Sequence, residues 1–379
     1  MTSRNSLFEA VPDQAVAEGA IVGADVVVMH HGEIVAHHQA GFADREAGIP
    51  VNPATKFRLD SATKAFTSVA AIRLIEQKII HPDDLVSTWL PEFQPRLPSG
   101  NTAEIRLHHL MTHTAGFGLR AMEGGSGPYS RAGVSDGMDL SGIGMEENLQ
   151  RISSVPLEFE PGTQWMYSLA TDVLGEVVGR AYGSSLREAI RDLITVPLEL
   201  RTVGFDVPED DAESLAAQYT DGEPAAQRMP DHVVPAAGEG GPIRSLRRCF
   251  DLTAYPSGGA GIVGSALDVA IFLDAVRRLD LRIVSGDSAD YLFANQIGSL
   301  ECDAGWGYTY GWSVLVDPSK DSTPQSAGTI SWAGGLGHRW FVDPANHLTV
   351  VSLTNTCYAG TFGPYPDSIR DAAYRLIAD

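Results

Sequence analysis

The chain has 379 residues, room for one large domain or two intimately joined ones, and is 44% hydrophobic, 8% aromatic and 20% charged, an ordinary globular profile. Its formal net charge of −21 argues against nucleic acid or an anionic membrane as partner, since neither would be attracted to it. The three cysteines, Cys249, Cys302 and Cys357, are scattered and odd in number, which argues against a disulfide framework or a cysteine-rich metal site.

The first ten residues lack a basic start followed by an apolar core, and no run approaches the roughly 18 apolar residues of a membrane span. A cytoplasmic protein without a membrane partner is the expectation. Ala24 to Met29 and Glu33 to Gln39 are β-branched runs around His30-His31-Gly32 and read as a β-hairpin. Phe57 to Leu59 reads as a short strand, with Asp60 or Ser61 as the N-cap of a following helix. In that helix Ala62, Ala65, Phe66, Val69, Ala70 and Ile72 to Ile75 recur at helical spacing, which predicts burial along most of its length.

Further on, Leu107 to Thr112 reads as a helix ended by Thr114-Ala115-Gly116, and residues 117–145 as a long Gly- and Ser-rich loop. Helices are expected over Leu169 to Tyr182 and Ser185 to Ile194, then a second long irregular segment over 206–257. Ser265-Ala-Leu-Asp268 opens a helix to Arg278 as a capping box. Tyr308 to Val316, Thr329 to Trp332, Trp340 to Val342 and Leu348 to Leu353 read as strands, and Pro366 to Ile377 as a terminal helix. Strands at both ends with helices between predict an α+β fold, an antiparallel sheet built from both termini and flanked by helices.

Three boxes carry chemistry. Ser61 and Lys64, three apart on a helix, face one space. A serine hydroxyl is a weak nucleophile until a neighbour takes its proton, and an amine does so only where burial or a nearby cation disfavours its charged form. Only four of the 27 Lys and Arg residues are lysines, so a lysine inside an apolar helix reads as a titratable group rather than a default cation. The second box is Pro161-Gly-Thr-Gln-Trp-Met-Tyr167-Ser168-Leu169, which sets Tyr167 at a turn–helix junction, where a phenol relays protons or acts as a base. The third is Ser331-Trp332-Ala333-Gly334-Gly335-Leu336-Gly337-His338, a strand running into glycines, where a backbone N–H paired with that of Ser61 would form an oxyanion hole.

In order and spacing these boxes resemble the serine β-lactamase and penicillin-binding-protein superfamily, with class C β-lactamases and family VIII carboxylesterases the most similar branches. The supporting segments are Leu110-Met-Thr-His-Thr-Ala-Gly116, Pro161-Gly162, Gly258-Gly-Ala-Gly261 and Trp340-Phe-Val-Asp-Pro344, so the resemblance spans about residues 20–375. It implies a β-lactamase-like fold with a sheet subdomain (1–80 plus 258–379), a mainly helical subdomain (81–257) and the active site between them. It also implies Ser61 as acylated nucleophile, Lys64 and Tyr167 as coupled base and relay, Ser61 and Gly335 as oxyanion donors, and Trp332, Gly334, Leu169 and His338 as substrate-binding residues. No cofactor or metal is implied.

Two departures bear on substrate. The family's Tyr-x-Asn reads Tyr167-Ser168-Leu169, and its Lys-Thr-Gly reads Trp332-Ala333-Gly334, losing an amide and a cation that serve β-lactams. A carboxylesterase acting on small or medium acyl esters is therefore expected. A β-lactamase or DD-peptidase, an amide hydrolase, an acyltransferase using the same acyl-enzyme and a silent binding module are the alternatives; the sequence leaves the oligomeric state open. Gly259-Ala-Gly261-Ile-Val-Gly264 lacks the βαβ setting of a nucleotide site, the paired histidines lack H-E-x-x-H, and Ser135-Asp136-Gly137 lies in the loop without the family's amide. Trp89, Phe117, Trp165, Tyr308, Trp312 and Trp332 are candidates to shape an apolar cleft.

Overall fold

In the computed structural model, which describes residues 2–222, 225–234 and 241–378, the termini meet in one sheet. Its strands are β1 (Gly23–His30), β2 (Glu33–Asp44), β3 (Ile49–Pro50), β4 (Trp306–Tyr308), β5 (Ser313–Leu315), β6 (Ile330–Gly334), β7 (His338–Asp343) and β8 (Leu348–Thr354). They run in the order β3-β2-β1-β8-β7-β6-β5-β4, antiparallel throughout, and β1 meets β8 with Val27 opposite Val351. The hairpin and the last three strands are as the sequence predicts.

Alternation along β1 explains why the sheet is covered twice. Val26 and Val28 join Phe8, Val350, Tyr365 and Ile369 under two terminal helices, α1 (Thr2–Ala17) and the C-terminal Pro364–Ile377. Val27 and Met29 face the main core, formed with α2 (Lys64–Glu76), α3 (Ala170–Tyr182) and α4 (Ala266–Arg277). The C-terminal helix is therefore α5. Phe66 of α2 stacks on Phe272 of α4 with centroids 4.0 Å apart, each ring adding about 1.5–3 kcal/mol by burial. Eleven of the 13 residues of α2 are buried, so it runs through the interior and holds the following site on a rigid element. One continuous apolar core joins this sheet to the helices of the 81–257 segment.

Several local expectations change. α1 had no predicted counterpart. Neither Asp60 nor Ser61 caps α2: residues Asp60–Thr63 form a 3₁₀ turn, no side chain caps it, and the Asp60 carboxylate is drawn to Arg244 instead. Tyr308 to Val316 is not one strand, because Gly311 at φ 138° turns the chain and the segment folds into the β4–β5 hairpin. The capping box at Ser265 is half made: its hydroxyl accepts from Asp268 N–H, while the Asp268 carboxylate takes Thr202. The 117–145 segment is mainly irregular, with a 3₁₀ turn at Arg120–Met122 and a helix at Pro128–Ala132. The expected 206–257 loop holds only short turns and two-residue strands, and its residues 223–224 and 235–240 lie outside the described residues.

Candidate active site

The turn that carries Ser61 is held from three sides. Phe57–Arg58 pairs with Val263–Gly264, Leu59 N–H donates to Ile262 O, and His338 Nε2 bonds Arg58 O at 2.7 Å. A Cβ on Gly334 would lie 2.5 Å from Leu59 O, so β6 approaches this turn more closely than a side chain permits. That approach puts Gly335 beside Asp60; a Cβ there would be 3.1 Å from Asp60 Oδ2. Asp60 itself is buried at a φ of 50°, and its Oδ2 accepts from Arg244 Nη2 at 3.0 Å. Burial opposes its ionisation, but the charge and hydrogen bond of Arg244, then Lys64 and His338, hold its pKa below the usual carboxylate value.

Ser61 is half-buried at the floor of a cavity of about 880 Å³. Its Oγ lies 2.6 Å from Tyr167 Oη and 3.4 Å from Lys64 Nζ. Lys64, 5% exposed, also donates to Gly259 O at 2.9 Å, and its Nζ sits 4.8 Å from the centre of the Tyr167 ring. The Lys64 nitrogen, the Tyr167 oxygen and the Ser61 oxygen thus form one connected group. Tyr167 reaches it from the chain just before α3, as the turn at Pro161-Gly162 requires. Its ring packs on Trp332 and His113 at 5.6 and 5.1 Å. Burial, and then Lys64, push the His113 pKa well below 6.5, and Nδ1 bonds Ser168 Oγ at 3.1 Å.

On the far wall β5 pairs with β6 only at Ile330 and Ser331, so Trp332 to Gly334 has no β5 partner on that side. Trp332, Ala333 and Gly335 line the cavity with Ser61, Lys64 and Tyr167. Leu169 lines it too, from a buried position. The other two expected substrate contacts are corrected. His338 is fully buried behind the strand, held by Arg58 O and edge-on to Phe57, and does not line the cavity. Gly334 also stays out of the lining and serves the close approach to Leu59. Of the aromatic candidates, Trp165 and Trp332 line the cavity and Tyr308 packs behind both. Trp89, Phe117 and Trp312 pack in or against the core.

Sequence reasoning missed three buried groups here. Asp172, in the first turn of α3, lines the cavity, accepts from Ser257 Oγ at 2.6 Å and has its pKa raised by burial. An acid within the apolar Leu169–Val178 run was the available signal. Asp136 and the Asp60–Arg244 pair carry no local signal, because their partners are distant in sequence. Among the described residues no cluster of His, Cys, Asp or Glu suits a metal ion.

Comparison with known proteins gives concordant matches. The model of the family described as Beta-lactamase matches residues 8–374. Esterase EstB of Burkholderia gladioli is 45% identical over 372 residues, covering 97% of this chain and 94% of that protein. The structure of EstCE1, described as a hydrolase with promiscuous acyltransferase activity, superposes with a TM-score of 0.92 at 37% identity, covering 98% of this chain and 99% of that one. Lovastatin esterase of Penicillium rubens is 25% identical over 325 residues, 77% of each chain.

Proposed function

This chain belongs to the Beta-lactamase family, and we propose that it is a serine esterase that cleaves small or medium acyl esters through an acyl-enzyme on Ser61. The observation that carries the reading is the Ser61 hydroxyl within reach of both the Tyr167 phenol and the Lys64 amine, inside a cavity walled by Trp332. The neighbours named as esterase and hydrolase support it.

In the proposed sequence the Lys64–Tyr167 pair, carrying one proton fewer than an ammonium plus a phenol, takes the Ser61 proton as Oγ attacks the ester carbonyl. The tetrahedral oxyanion is received by the N–H groups of Ser61 and Gly335, each such donor being worth about 2.7–4 kcal/mol of barrier. The proton then passes to the departing alcohol and leaves the acyl group on Ser61. Water, deprotonated through the same pair, hydrolyses the acyl-enzyme. Trp332 stands where β-lactam-cleaving relatives carry a cation, which favours an uncharged group beside the reacting ester. A small molecule is the partner, and the net charge of −21 makes nucleic acid a poor one. We take the cleft between the 1–80 plus 258–379 unit and the 81–257 unit as the catalytic cleft.

The test is turnover of p-nitrophenyl butyrate beside nitrocefin. A burst of p-nitrophenol that disappears in Ser61→Ala, with nitrocefin the poorer substrate, is the expected result. Undiminished ester turnover in Ser61→Ala, or a higher kcat/KM on nitrocefin, sinks it.

A further inference from the structure

Besides Ser61 and the aromatic side chains, the cavity lining includes charged residues from the C-terminal strands. Arg339 lines it from β7, directly across from Ala333, with its backbone clamped between β6 and β8. Its guanidinium is half-buried and makes no hydrogen bond or ion pair with any described residue. Five N–H donors without a partner on a cavity wall are costly to leave unmet, and their planar fork matches a carboxylate.

The acids nearby do not fill that role. Asp303, Asp321 and Asp367 feel Arg339 electrostatically, as does Arg370, yet none makes an ion pair with it. Asp321 accepts from Trp306 Nε1 at 2.9 Å, Asp367 from Arg370 Nη1 at 3.1 Å, and Asp303 from Ala304 N–H at 2.7 Å. Each accepts from another donor. These three acids and Arg370 line the same cavity as Arg339, with the uncharged Ser313 and Gln325 beside them.

We infer that Arg339 is an anion subsite of the cleft, and that the substrates include esters carrying a second, ionised carboxylate. The inference rests on the esterase reading and narrows its substrate class. It gives the cleft an aromatic part around the reacting carbonyl and, on a wall of mixed charge, one unpaired guanidinium that orients the molecule.

Two substrate pairs test it, one for each side of the ester. Mono-p-nitrophenyl glutarate is compared with its methyl ester, and 4-acetoxybenzoate with methyl 4-acetoxybenzoate. In at least one pair the charged member is expected to have the higher kcat/KM. In that pair Arg339→Met should lower kcat/KM on the charged member about 10–100-fold, at least ten times more than on the methyl ester, and Arg339→Lys should keep part of the preference. No preference in either pair, a preference that survives Arg339→Met, or equal losses on both members overturns the subsite. Turnover of the methyl esters that depends on Ser61 separates that outcome from failure of the esterase reading.

Discussion

Ser61 Oγ and Tyr167 Oη lie 2.6 Å apart although 106 residues separate them in the chain. Tyr167→Phe removes this bond but leaves the ring against Trp332 and under Lys64 Nζ. It should lower kcat about 100- to 10,000-fold, the usual worth of a positioned proton-transfer group, with Tm held. Stopped-flow acylation with p-nitrophenyl butyrate checks it; a loss below threefold would remove Tyr167 from the proposed relay.

Gly334→Ala should disturb the site without touching substrate. The added Cβ would meet a backbone oxygen, Leu59 O, at 2.5 Å, and that oxygen belongs to the turn that carries Ser61. The expected cost is about 1–3 kcal/mol of stability, with a fall in kcat as Gly335 is pushed away from Ser61. Gly204→Ala, whose Cβ meets nothing within 4 Å, is the control. Urea unfolding and steady-state kinetics measure both, and equal behaviour of the two variants would contradict the close-approach argument.

The buried Asp60–Arg244 pair predicts a non-additive cycle. Arg244→Met leaves the Asp60 carboxylate, 3% exposed, without its cation and should cost about 3–5 kcal/mol. Adding Asp60→Asn should recover much of that loss, and additive losses in urea unfolding would show that the pair does not act as a unit. Because Asp60 has a lowered pKa in the fold, its contribution is present above the ordinary carboxylate value of 3.8 and is lost as pH falls through the folded value.

Asp136 predicts the opposite slope. Burial raises its pKa from 3.8 to about 7, against the N–H groups of Arg120 and Ala121 that its oxygens accept. The folded chain then holds this proton more tightly than the unfolded one, so stability should fall by a few kcal/mol, order of magnitude, as pH rises from about 4 to about 7. Asp136→Asn should flatten that part of the profile, measured as urea midpoints from about pH 4 to about 8. An unchanged slope in the variant would assign the pH dependence to another group.

The sequence by itself determined the fold class, the burial of α2, the Ser61–Lys64 pairing and the boxes at Tyr167 and Trp332, because each is written in spacing within one element or one turn. It also carried Trp332 at the position that the resemblance matches to the family's Lys-Thr-Gly cation, which depends only on which residue stands there. It did not determine what each buried charge meets. Asp60 looked like a helix cap and His338 like a substrate contact, yet Arg244 lies 184 residues from the first and Arg58 is 280 from the second. Those pairings come from the close approach of β6 to the Ser61 turn and from the path of Arg244 in a segment without periodicity, which local sequence does not announce. Local propensity acts over a few residues, whereas the desolvation that forces a charge to find a partner exists only once the core has closed. For that reason the proposed nucleophile was legible in the chain, and the groups that hold and orient it were decided by the tertiary structure.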